Sequence, residues 1–83
     1  MSKAYAIIQL NEAIKCAFQE VQQIFYILDK ESKEEYVVCR YQILDYVAGD
    51  SFYRRGEFKI CVTADSIPAM YDDVWNAIKK RFG

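Results

Sequence analysis

Three glycines and one proline are all the backbone punctuation in a chain of 83 residues. Gly and Pro are the residues that most often end helices and strands. Nearly the whole chain is therefore expected in regular elements, with turns confined to a few places. No repeat, low-complexity stretch or linker is visible, and the length fits a single compact domain over residues 1–83. A domain of this size buries only about 60–65% of the surface its unfolded chain exposes. Yet 53% of the side chains are hydrophobic and 16% are aromatic. Some large apolar side chains are thus expected at the surface, where aromatics favour protein contacts.

Ile7, Leu10, Ile14, Ala17, Val21, Ile24 and Leu28 follow alternating steps of three and four. That is helical periodicity, and it predicts a helix from about residue 3 to residue 29, with Phe18 and Phe25 widening its apolar stripe. A second reading makes Lys3 to Leu10 a buried strand that feeds a helix capped by Asn11 and starting at Glu12. Asn11 to Leu28 is helical in both. Asp29 to Glu35 is a charged turn, after which the period changes to two.

From Tyr36 to Val47 one face carries Val37, Cys39, Tyr41, Ile43 and Val47, and the other carries Arg40 and Gln42 among Tyr36, Val38, Leu44 and Tyr46. Ala48 to Ser51 reads as a turn. Residues 52–64 read as a second strand with Phe58, Ile60 and Val62 inward, Lys59 and Thr63 outward, and a bulge or bend at Gly56. With the turn at 48–51, Asp45 falls opposite Arg54, a favourable cross-strand pair. A bend in the first strand would split it and give a three-stranded meander.

The last element is the clearest. Asp65 and Ser66 are capping candidates and Pro68 suits a first helical turn. Ile67, Met70, Tyr71, Val74, Trp75, Ile78 and Phe82 share one helical face, and Lys79, Lys80 and Arg81 complement the dipole at the C-terminal end. The fold class expected is α+β: a long N-terminal helix, an antiparallel two- to three-stranded hairpin or meander, and a C-terminal helix. A helix of some 26 residues would span about 39 Å and a strand of twelve about 40 Å, so one could lie along the other.

Composition narrows the function. The formal net charge is −1, which gives little non-specific attraction to nucleic acid or anionic lipid. No apolar run is long enough to span a membrane, and no targeting segment is recognisable. The three cysteines, Cys16, Cys39 and Cys61, have no paired spacing. They are expected to be small buried hydrophobes in a reducing, cytoplasmic setting.

Histidine, the usual general base at neutral pH, is absent. Glu34 with Glu35 and Asp72 with Asp73 are adjacent carboxylates, but neighbours on a helix diverge by about 100°, and Glu34 and Glu35 lie in a charged turn. Gly49 and Gly56 are isolated, so there is no phosphate loop. Neither catalysis nor a cofactor is expected.

The residues left to carry function are Phe52, Tyr53, Arg54 and Arg55, with Arg40 and Tyr46 on the neighbouring strand. Aromatics and arginines together dominate interface energetics, so this segment is the expected contact patch for a larger protein target. A homodimer is a natural variant, because a small sheet leaves edges that a second copy can pair. A ligand pocket lined by Phe18, Phe25, Tyr41 and Trp75 is a further option. Nucleic acid is the rival partner, since bases stack on aromatics while arginines meet phosphate.

Helix, three strands, helix is also the element order of double-stranded-RNA-binding domains, which the chain resembles in order alone. Those domains carry a basic start to the second helix, whereas this helix starts with Asp65 and acquires Asp72 and Asp73. In size and layout the chain is similar to phage-encoded inhibitors of bacterial defence, such as anti-CRISPR proteins. That similarity implies a non-enzymatic inhibitor or regulator that occludes a site on its target.

Overall fold

The computed structural model describes residues 2–83. The order of elements is α1 (Lys3–Ala17), β1 (Val21–Leu28), β2 (Glu35–Val47), β3 (Asp50–Cys61) and α2 (Ile67–Phe82). The three strands form one antiparallel sheet in the order β1-β2-β3. This is the expected α+β layout with one correction: the first helix is about half the length that periodicity predicts.

Residues 3–10 are helical, with Ser2 capping α1 by accepting a hydrogen bond from the Tyr5 amide at 3.2 Å. The helix stops at Ala17, Phe18 takes an extended conformation, and Val21 to Leu28 is a strand rather than further helix. Two accidents of spacing disguise it. The ladder shifts register between Val21 and Gln23, so Val21 and Ile24 both point inward although three residues apart. A β-bulge thus imitates a helical step. The following step of four, to Leu28, is even and so also fits a strand. The side chains resolve the ambiguity: Val21, Ile24, Phe25, Tyr26 and Ile27 are β-branched or aromatic, types that pack well on a pleated surface.

Strand β2 runs unbroken, so the third strand comes from Val21–Leu28, whose spacing predicts helix, and not from a bend in β2. The hairpin turn is two residues, Ala48 and Gly49, at φ 52° and 86°. Positive φ at both central positions is the type I′ geometry that matches the twist of the flanking strands. This turn is tighter than the one expected over 48–51. Asp45 therefore lies opposite Phe52 and Ile43 opposite Arg54, and the acid meets Arg54 diagonally at 3.9 Å. Gly56 makes no bulge, since pairing continues through Tyr41↔Gly56. The Tyr41 ring lies across it, and a Cβ built there would fall on the phenol.

Both helices cover one face of the sheet. Ala6, Ile7 and Ile14 of α1 and Met70, Val74 and Ile78 of α2 are buried in one cluster with Val21, Ile24, Val37, Cys39 and Ile60. Ser66 caps α2 by accepting from the Ala69 amide at 3.3 Å, and Pro68 sits in the first turn. Cys39 is buried as expected, but Cys16 and Cys61 are exposed, because each falls on the solvent side of its element.

Polar contacts fasten the layers. The Tyr71 hydroxyl donates to the Ala6 carbonyl at 3.1 Å, joining the helices. Glu35 accepts from the Tyr26 phenol and, at 2.9 Å, from Lys3 Nζ. Both contacts hold the Glu35 carboxyl below its ordinary range, the Tyr26 bond being the larger cause. Burial, with Glu35 adding to it, raises the Tyr26 phenol from 10.0 to about 12.

Ala48 occupies a left-handed position suited to Asn or Gly, so Ala48→Asn should raise stability by about 0.5–1 kcal/mol in urea unfolding. Gly49→Ala should lower it by about 1 kcal/mol. The Glu35 contribution is complete above the unfolded carboxylate pKa and disappears as pH falls through the lower folded value. The Tyr26 contribution is complete below pH 10.0 and disappears as pH rises through about 12. Melting curves against pH should therefore fall at both limits, and Glu35→Gln should weaken both slopes.

Candidate functional site

The sheet is longer than what covers it. Strand β1 pairs with β2 only as far as Val21↔Tyr41, apart from one bond from the Gln42 amide to the Glu20 carbonyl at 2.8 Å. Beyond that point, from Ile43↔Arg54 to Val47↔Asp50, the hairpin is a two-stranded arm. At about 3.4 Å per residue it projects some 17 Å, and the molecule measures 47 × 27 × 19 Å.

The arm gathers most of the large exposed apolar side chains. Tyr46 is 67% exposed, Tyr53 63% and Phe52 43%, with Leu44 and Val47 beside them. Val47 has the inward parity expected of it, but neither helix reaches the tip, so it lies in solvent. Alternation divides the expected patch between two faces. Tyr53, Arg55, Tyr46 and Arg40 share the open face, whereas Phe52 and Arg54 point to the helix side. The four consecutive residues 52–55 thus form two half-patches on opposite faces, as period two requires.

The open face is laced together by polar contacts. Gln42 Oε1 accepts from Gln22 Nε2 at 2.8 Å and from Arg55 Nε at 2.9 Å, linking all three strands. Arg40 reaches Glu57 at 3.5 Å and lies 5.1 Å from the centroid of the Phe25 ring. Lys59 sits 4.7 Å over Tyr36. With Arg54 on Asp45, every arginine of the expected patch has an internal acidic or amide partner. A phosphate backbone would compete with those partners, whereas a protein surface can use the aromatic faces without breaking them.

At the root of the arm, Tyr41 packs on Phe58 and Phe82 with centroids 6.0 and 5.5 Å away, and Arg81 lies 4.2 Å over Phe58. The ligand pocket read from the sequence does not form. Phe18 packs edge-on against Trp75 at 5.3 Å, Tyr41 joins Phe82, and Phe25 lies on the opposite face under Arg40. A shallow groove of about 500 Å³ runs instead between β3 and α2, floored by Phe58, Ile60 and Ala77 and flanked by Lys80 and Arg81. Burial raises the Cys39 thiol to about 11, which leaves it protonated and inert at neutral pH.

No family model, curated protein or solved structure matches this chain. Among the described residues, no helix is long and apolar enough to cross a membrane.

The root and the arm differ in what substitution should cost. Gly56→Ala must displace Tyr41 from its aromatic cluster, so a loss of about 1–3 kcal/mol is expected. Tyr53→Ala removes a side chain mostly in water and should stay within about 0.5 kcal/mol. Chemical denaturation of the two variants measures the contrast directly.

Proposed function

We propose that this chain is a non-enzymatic protein-binding module, an inhibitor or regulator that uses its β2–β3 arm to occlude a site on a larger protein. The observation that carries this reading is the projecting arm, on which Leu44, Tyr46, Val47, Phe52 and Tyr53 are exposed together. Large apolar side chains on both faces of a projecting two-stranded element suit the anchors of an interface, and Tyr is prominent among energetic hot spots. The internal pairing of Arg40, Arg54 and Arg55 supports the same reading, because it orders the cations while Tyr46, Phe52 and Tyr53 stay exposed.

A nucleic-acid reading draws on the open face, along which Tyr53, Arg55, Arg40 and Lys59 are spaced in turn, a track on which bases could stack beside cations. One experiment separates the two. Tagged protein and its Tyr46→Ala/Tyr53→Ala variant are used for capture from lysate, with and without nuclease. The module reading expects a stoichiometric protein that survives nuclease and moderate salt and is weakened at least tenfold by the variant, at unchanged melting temperature. Recovery of nucleic acid with binding that falls steeply in salt would favour the alternative. Equal capture by both forms would contradict the arm as the contact.

A further inference from the structure

The two edges of the sheet are treated differently. On β1, the Asn11 side chain of α1 accepts the outward-facing Ile24 amide at 2.7 Å and occupies the middle of that edge. On β3, no hydrogen bond among the described residues lands on the outer edge, and the strand runs from Asp50 to Cys61 without proline or register shift. A two-residue turn makes Val47↔Asp50 a hydrogen-bonded pair. Alternation from there directs the main-chain groups of Phe52, Arg54, Gly56, Phe58 and Ile60 towards β2. Those of Ser51, Tyr53, Arg55, Glu57 and Lys59 face outward. The same parity leaves the Ile24 amide pointing away from β2, where Asn11 receives it.

We propose that this edge pairs with β3 of a second copy, antiparallel and centred on Gly56, to make a continuous six-stranded sheet. The side chains select that register. Centred on Gly56, Arg55 of each copy faces the other copy's Glu57, and Tyr53 faces Lys59, so opposite charges and a cation–π pair meet twice across a two-fold axis. On the helix side Phe52 faces Ile60, at the lip of the groove floored by Phe58, Ile60 and Ala77. At the axis itself, two glycines meet where any larger residue would disturb Tyr41.

Neighbouring registers are worse. Centring on Arg54 or Arg55 opposes like charges at the axis, and centring on Glu57 opposes Glu57 to itself and Arg55 to Lys59. Centring on Phe58 aligns Glu57 with Lys59 but leaves residues 50–54 beyond the pairing. Charges on an edge strand often protect it from indiscriminate pairing. Here charge order and length of overlap together favour the alignment centred on Gly56. The pairing engages Tyr53 and Arg55 along the edge of β3 and leaves Leu44 and Tyr46 of the arm uncovered, and it forms without a larger target.

The test is sedimentation of the purified full chain, which needs no other protein. The wild type should sediment near twice 9.7 kDa. Glu57→Arg or Arg55→Glu alone puts like charges opposite each other in both halves and should weaken association at least tenfold. The double variant Arg55→Glu/Glu57→Arg should restore association relative to Glu57→Arg alone, because the pair between copies is only exchanged while the internal Arg40–Glu57 pair is lost in both. Circular dichroism confirms that each variant is folded, as expected for exposed side chains. A wild type that stays monomeric at sub-millimolar concentration would overturn the proposal. So would a folded double variant that remains as weak as the singles.

Discussion

Everything distinctive about this molecule follows from β2 being longer than the elements that cover it. Strand β2 is the one strand with a neighbour on each side, and its two partners differ in reach. Strand β3 accompanies it along Tyr36 to Val47, while β1 leaves it at Tyr41. The helices bury Val37 and Cys39 at one end and do not extend to the other. Hydrophobic burial therefore fixes half of the hairpin, and cross-strand pairs with a type I′ turn sustain the rest. An isolated two-stranded hairpin is marginal in water. This one is continuous with a buried sheet, and it can expose aromatics that would otherwise be drawn into a core.

The architecture was largely legible in the sequence. The order of elements, the alternation of β2, the inward set of β3 and the capped, dipole-matched α2 all followed from spacing and turn chemistry. The error lay in one segment, for a definite reason. Val21 and Ile24 are separated by a helical interval because a bulge intervenes, and nothing local announces a bulge. No Gly or Pro separates α1 from β1 either, since Gln19 and Glu20 suffice once Phe18 leaves the helix. The types of side chain in Val21 to Leu28 held the missing signal, and periodicity outweighed them.

For the candidate site, the sequence located the segment but not its division. Phe52 to Arg55 does lie on the projecting arm, and alternation makes its two-faced arrangement unavoidable. What the sequence could not show is where β1 ends relative to β2, because that depends on pairing between residues some twenty positions apart. Whether Tyr46 and Tyr53 are covered or exposed depends on that offset. The same offset leaves Val47 in solvent although it shares a face with the buried Val37 and Cys39. The arginines' partners are half legible: a turn over 48–51 puts Asp45 roughly opposite Arg54, and the pair closes diagonally because the turn is tighter.

The most direct test of the uncovered arm is residue-resolved tyrosine accessibility in solution, by photochemically induced nuclear polarisation with a soluble dye. The account predicts strong signals from Tyr46 and Tyr53 and much weaker ones from the half-buried Tyr26, Tyr41 and Tyr71, which meet Glu35, Gly56 and the Ala6 carbonyl respectively. Silent Tyr46 and Tyr53 alongside a visible Tyr41 would contradict it, since the arm would then be folded onto the core and its root opened instead.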